Sequence, residues 1–106
     1  MTELTTRDAV DAVLRAPQAV LLKHGAHCPI SRAARGEMQT FADQRPDVVV
    51  HLLEVTEHRD LSDYVAERLG VVHESPQLFV LRDGVPVSRA EHFDISARGL
   101  EQALAG

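Results

Sequence analysis

The only cysteine of this chain is Cys28, and it lies in His27-Cys28-Pro29-Ile30-Ser31. An apolar run, Ala19-Val20-Leu21-Leu22, ends shortly before it, and a helical pattern begins at Pro29. A thiol at that junction meets the start of a helix, where backbone N–H groups are unpaired and the helix carries partial positive charge. Both favour thiolate over thiol. The position where a dithiol Cys-x-x-Cys motif has its second sulfur is Ser31. Exchange chemistry at Cys28 therefore uses one thiol and needs a second molecule to complete it. As a residue type, a free cysteine is more often a small buried apolar group. The strand end before it, the proline after it and the polar neighbours His27 and Ser31 point instead to a reactive thiol.

Ser31 shares a helix face with Cys28, three residues on. Its hydroxyl can donate to the thiolate or bond the local backbone, and the two roles are compatible. A protonated His27 would lower the thiol pKa, but adjacent side chains point apart, so a solvated His27 is expected. His24 either lines the site or faces water. Arg32 and Arg35 add positive potential for an anionic partner, or are ordinary solvated helix charges. The chain has six His, and His73-Glu74 could fold near His24, His27 and Cys28. No pair has a zinc-site spacing, so no metal is expected. Glu54, Glu57 and Asp60 read as a solvated turn. No glycine-rich phosphate loop and no hydrolase-like Ser/His arrangement is present.

The elements that must position Cys28 alternate between helix and strand. Thr5 or Thr6 caps a first helix with Ala9, Val10, Val13 and Leu14 on one face. Ala19 to Lys23 suits a central strand buried on both faces. Pro29 is a good first-turn residue for the next helix, in which Ile30, Ala33, Ala34, Met38, Phe41 and Ala42 recur at helical spacing. Val48 to Val55 is rich in β-branched residues and reads as a strand. Leu61, Tyr64, Val65 and Leu69 form a helical stripe that Gly70 ends. Gln77 to Arg82 and Val85 to Ala90 flank Asp83-Gly84, a hairpin signal, and Pro86 places the second of these strands at an edge. Ser96 caps a last helix carrying Leu100, Ala103 and Leu104.

The first two strands, joined by a helix, are expected to be parallel with a right-handed crossover, and the last two antiparallel. The expected architecture is α/β and thioredoxin-like: one domain over residues 1–106, a four-stranded mixed sheet flanked by helices, with an extra N-terminal helix. That fold places a cis-proline where Ser75-Pro76 opens the third strand, facing the active-site cysteine. A cis bond is therefore expected here, although only about one X-Pro bond in twenty is cis. The backbone before Pro76 could then pair with an extended substrate segment.

Composition narrows the function. The 106 residues are 44% hydrophobic and 25% charged, with net charge -5, ordinary values for one globular domain. Basic residues are scattered among acids and the only aromatics are three Phe and one Tyr, so no nucleic-acid partner is expected. No apolar stretch approaches the ~20 residues that span a membrane. The N-terminal residues lack the basic and apolar regions of a signal peptide. A cytoplasmic protein is expected, and a monomer, because no exposed apolar stripe stands out.

Lys23-His24 before Cys28-Pro29-Ile30-Ser31, then His73-Glu74-Ser75-Pro76-Gln77, Arg82-Asp83-Gly84 and His92-Phe93-Asp94-Ile95-Ser96 together resemble the monothiol bacilliredoxins. These are small thioredoxin-like proteins of bacteria that use bacillithiol in place of glutathione. The resemblance runs from about Val20 to the C-terminus. It implies removal of bacillithiol from S-bacillithiolated proteins, with Cys28 as nucleophile, Pro76 as the cis-proline beside Ser75, and Ser31 at the place of the absent resolving thiol. Pro29 and His27 complete the implied surroundings, although His27 stands where the family pattern has Thr. It implies no tightly bound cofactor, bacillithiol as the thiol cosubstrate, and a low-molecular-weight thiol or dithiol as reductant. Two other readings fit a lone thiol on this fold. One is a redox-silent or sensing binding domain. The other is a monothiol glutaredoxin-like module that shares an iron–sulfur cluster between two subunits.

Overall fold

In the computed structural model, which describes residues 1–106, the chain runs β1 (Thr2–Glu3), α1 (Arg7–Arg15), β2 (Gln18–His24), α2 (Pro29–Gln44), β3 (Val50–Glu54) and α3 (Arg59–Leu69). It continues through the hairpin β4 (Gln77–Arg82) and β5 (Val85–Glu91), a 3-10 turn (His92–Asp94) and α4 (Ala97–Ala105). The strands form one sheet in the order β1-β3-β2-β4-β5. β2 is parallel to β3 and antiparallel to β4. The first relation follows from the crossover through α2. Asp83 and Gly84 have φ of 51° and 77°, the left-handed pair of a tight hairpin turn that matches strand twist.

The sheet has five strands, not the four expected. The added strand is β1, which pairs with the outer edge of β3 through Thr2↔His51 and Glu3↔Leu52, and the Leu4 N–H continues the ladder to Leu52 O at 2.8 Å. Two residues carry no alternation to read, so only the partner strand defines this one. β3 also starts at Val50 rather than Val48. The Val48 N–H is spent on Arg45 O at 3.1 Å, closing the turn after α2.

β2 is buried along its length after Gln18 because each face has its own core. Ala19 and Leu21 join Val10, Val13, Leu53, Leu61, Val65 and Phe79 on the α1/α3 side. Val20 and Leu22 join Met38, Phe41, Leu52, Val80 and Leu100 on the α2/α4 side. This double burial is why the strand reads as a continuous apolar run. β5 is an edge strand, as Pro86 requires, and its register skips Val87 between Val80↔Ser88 and Leu81↔Pro86. Such a bulge twists the edge away from further pairing.

Helix ends follow local chemistry. The Thr6 hydroxyl accepts from Ala9 N at 3.1 Å to start α1, and Ser96 accepts from Gly99 N at 2.9 Å to start α4. Gly70, at φ 66°, closes α3 in the left-handed conformation that side chains resist. At α2 the N-cap is Cys28, without a side-chain cap bond. The C-terminal ends of β2 and β3 and the start of β4 lie at one end of the sheet, with Lys23 opposite both Leu53 and Gln77. The loops that leave or enter there carry Cys28, Thr56 and Ser75.

Candidate active site

Cys28 holds extended backbone angles at the α2 N-cap, and its carbonyl accepts the helix's opening bond from Arg32 N at 2.9 Å. Pro29 at the first helical position supplies a preset φ and has no N–H to leave unpaired. The thiol is half-buried. The backbone N–H groups of Ser31 and Ile30, at the start of the helix, hold its pKa below the ordinary thiol value. Partial burial opposes them, and the Ser31 hydroxyl and the Arg32 charge assist. The anion is thus stabilised mainly by helix-start donors that a capping side chain would otherwise occupy.

Ser31 is buried. Its hydroxyl accepts from Gly25 N at 3.0 Å, a tie to local backbone, and it also helps to hold the Cys28 pKa down. Gly25 is the hub of the site. A Cβ there would lie 3.9 Å from Ser31 Oγ, 3.9 Å from Ser75 Oγ and 4.0 Å from Cys28 Cβ. The Ser75–Pro76 bond is cis, as expected, and Pro76 O accepts from His92 N at 3.1 Å. The structure therefore gathers Cys28, Ser31 and Ser75 around one small residue, with Pro76 buried behind them.

His27 is exposed, as expected, and His24 does not face water. It is fully buried on β2 with Nε2 unpartnered. Burial, and then the Arg35 charge, lower its pKa and favour the neutral ring, against the pull of Glu54 and Glu3. Arg32 is exposed and acts on the thiol, whereas Arg35 acts on His24.

The reading of Glu54 as part of a solvated turn is overturned. Glu54 is buried at the end of β3. Its Oε1 accepts from Ala26 N at 3.1 Å, Thr56 N at 3.1 Å and the Thr56 hydroxyl, and its Oε2 accepts from Glu57 N at 2.8 Å. Burial pushes this carboxyl up, but the donors of Thr56, Glu57 and Ala26 outweigh it and hold the pKa at about 2. One carboxylate thus ties the loop entering the thiol to the turn after β3. Glu57 and Asp60 are exposed, as read. Lys23, the end of the strand expected to be buried on both faces, is 0% exposed with Nζ unpartnered. No group of three or more His, Cys, Asp or Glu is placed to hold a metal ion. No helix is long and apolar enough to cross a membrane.

An α/β sheet of this order, with a lone thiol at a helix start and a cis-proline beside it, defines a thioredoxin-fold thiol–disulfide oxidoreductase of the one-cysteine type. The family model described as monothiol bacilliredoxin BrxC matches residues 2–100, and the chain belongs to that family. A solved structure described as a presumed oxidoreductase with a thioredoxin fold is 36% identical, covers 97% of this chain and 92% of its own, and superposes with TM-score 0.90. Thioredoxin of Fasciola hepatica, at 16% identity, covers 99% of this chain and 97% of its own with TM-score 0.77. Thioredoxin of Trypanosoma brucei brucei, at 12% identity, covers 98% and 87% with TM-score 0.79. The two thioredoxins share the fold; the first structure and the family model carry the relationship.

Proposed function

We propose that this protein removes bacillithiol from protein mixed disulfides through Cys28. The observation that carries the reading is the half-buried thiol at the uncapped start of α2, held toward thiolate by the Ser31 and Ile30 N–H groups. The Cys28 thiolate attacks the bacillithiol sulfur of the modified protein. The old S–S bond breaks, the target leaves as a thiolate that takes a proton, and a Cys28–bacillithiol disulfide forms. A second low-molecular-weight thiol, or a dithiol partner, then attacks the bacillithiol sulfur of that adduct. Cys28 leaves as the thiolate, and bacillithiol departs as a disulfide with the reductant. With Ser31 in place of a second cysteine, no internal sulfur can take over this last step.

Ser75 and Cys28 both lie within 4.0 Å of the Cβ position of Gly25, which puts the Ser75-Pro76 segment beside the thiol. Protein targets find apolar surface on both flanks of the Ser75-Pro76 segment: Val72 is 82% exposed and Phe93 81% exposed. Phe93 also borders a cleft of about 310 Å³ that includes Ile30 and Ala33 of the first α2 turns. A single cysteine that must be returned to the thiol form suits a reducing compartment such as the cytoplasm.

The test is intact-mass analysis of a bacillithiolated protein incubated with the reduced chain, beside the same protein carrying glutathione. The expected result is bacillithiol on Cys28 and a free thiol on the target, with slower transfer from the glutathione adduct. Absence of transfer from both, with Cys28 still open to alkylation, would sink the reading in favour of a binding or sensing role.

A further inference from the structure

Two residues with side chains take a positive φ, Asp83 and His92. Asp83 belongs to the hairpin turn, which calls for that conformation. His92, at φ 52°, opens the 3-10 turn after β5. Residues with a Cβ seldom enter this region, though histidine does so more readily than most. At this angle His92 meets the segment that enters β4 at two points. Its backbone N–H donates to Pro76 O at 3.1 Å, and its Nε2 lies 3.5 Å from Glu74 Oε2, both side chains being half-exposed. Between Glu74 and Pro76 is Ser75, which lies beside the thiol: its Oγ is 3.9 Å, and Cys28 Cβ 4.0 Å, from the Cβ position of Gly25. His92 thus holds both neighbours of Ser75.

The segment needs such ties because residues 71–76 form neither helix nor strand. Two others act from inside the fold. Ser62 Oγ lies 3.1 Å from His73 Nδ1. The buried Gln77 amide accepts from Glu74 N at 3.4 Å and donates to Val72 O at 3.2 Å. Both reach no further along the chain than the Glu74 backbone. The His92 contact comes from the other side and takes the Glu74 side chain. The carboxylates around His92 have other partners: Glu37 accepts from Ala97 N at 2.9 Å, and Glu91 pairs with Arg89 at 3.2 Å. His92 also borders the cleft shared by Phe93 and by Ile30 and Ala33 of α2. The turn that holds the segment therefore lies against the helix start that holds the thiol.

We propose that His92 is a positioning residue for exchange at Cys28, with its imidazole acting through Glu74 to fix the Ser75-Pro76 segment where a protein target is received. The assignment rests on the exchange chemistry proposed above. A target strand laid along that segment by backbone pairing meets an edge already in place, and a preset edge costs less to bind than one ordered on arrival. The effect falls on target binding rather than on the acidity of the thiol.

His92→Gly separates the imidazole from the backbone. Glycine accepts φ 52° freely and keeps the N–H that meets Pro76 O, so unfolding is expected at about the parent's temperature. KM for a bacillithiolated protein is expected to rise about two- to fivefold, the range of a half-exposed ion pair. The kcat and the rate of Cys28 alkylation by iodoacetamide should hold. Glu74→Gln should raise KM equally, and the double variant no further. Because Glu74→Gln leaves the turn's backbone alone, that non-additivity separates the pair from any loosening by glycine. A parent-like KM in His92→Gly overturns the proposal, as does a fully additive double variant or a fall in alkylation rate that matches the loss of exchange. Amide order parameters give a readout free of the exchange chemistry. They are expected to fall at Glu74 and Ser75 in His92→Gly and in Glu74→Gln, with α3 and β4 unchanged. Unchanged values at both residues overturn the positioning role. A fall there, in a protein whose parent transfers nothing, overturns the exchange chemistry and keeps His92 as the residue that fixes the segment.

Discussion

Helices α2 and α4 pack on the same face of the sheet and share one core through Ala34, Met38, Phe41 and Leu100, but they begin differently. α4 begins at Ser96, whose hydroxyl occupies the Gly99 N–H. α2 begins at Cys28, whose side chain makes no cap bond, and the N–H groups of Ser31 and Ile30 lower the pKa of its thiol. The first end spends its free donors on stability and the second holds them for an anion. Cysteine suits the second role because its sulfur becomes charged near neutral pH, whereas a serine hydroxyl does not.

The largest change to this comparison is Cys28→Ser, which gives α2 an α4-like start. Exchange is expected to vanish. Thermal unfolding is expected at the same temperature as the parent or higher, because serine is a good N-cap. Calorimetry beside the mass-shift assay checks both halves. A variant that loses activity and also unfolds early would mean that Cys28 holds the fold together rather than acting on substrate.

Ser31→Ala takes a donor from the thiolate and the acceptor from Gly25 N, leaving the helix start in place. The Cys28 pKa is expected to rise toward the ordinary thiol value. The thiolate fraction at neutral pH falls accordingly, and because each remaining thiolate is more nucleophilic as its pKa rises, the alkylation rate falls by a smaller factor, about two- to threefold. Ultraviolet thiolate absorbance against pH reads the first effect, and iodoacetamide kinetics read the second. A variant with the parent's titration curve would leave Ser31 as a backbone tie alone.

Most of this was legible in the chain, for physical reasons that also mark where reading stops. The junction around Cys28 is local: an apolar run, a proline and a serine three residues on, each read with its neighbours. Pro76 followed from topology, because element order fixes which loop faces the thiol. Glu54 reads as solvated and Lys23 draws no notice of its own because charged types are exposed by default, and their burial depends on partners far along the chain. The Ala26 donor is 28 residues from Glu54, and Lys23 is enclosed by strands it meets only in the folded sheet. Lys23 had a signal: a lysine inside a strand read as buried on both faces has no solvent to reach. β1 had none.

Glu54 shows that the α2 end is also positioned from outside its helix. Glu54→Gln replaces one acceptor oxygen by a donor facing N–H groups, at a cost of about 1–3 kcal/mol. The loop before Cys28 loosens, and a fewfold loss of exchange rate is expected with the α4 end untouched. The pH dependence has a definite sign. The folded pKa of about 2 lies below the ordinary 4.5, so the parent holds this contribution above pH about 4.5 and loses it as pH falls toward 2. Glu54→Gln removes that part of the acid sensitivity. Denaturation midpoints compared across this range should converge between parent and variant as the pH falls. Curves that stay parallel would contradict a carboxylate clamp.

The smallest effect tests the other member of the pair. Ser96→Ala leaves the Gly99 N–H without its acceptor and should lower stability by about 1 kcal/mol, with thiol titration and exchange rate unchanged. Ser96→Cys in a Cys28→Ser background asks the sharper question, because it moves the only thiol to the α4 start. There the position three residues on is Gly99, which offers an N–H but no hydroxyl, and the next residue is not proline. The relocated thiol should titrate below an ordinary cysteine, because the helix start still supplies its donors, but above Cys28 in the parent. Equality with the parent would assign the activation to helix starts in general. An ordinary titration would assign it to Ser31 and the surrounding charges, and would leave the N-terminus of α2 as a place to hold the sulfur rather than the source of its acidity.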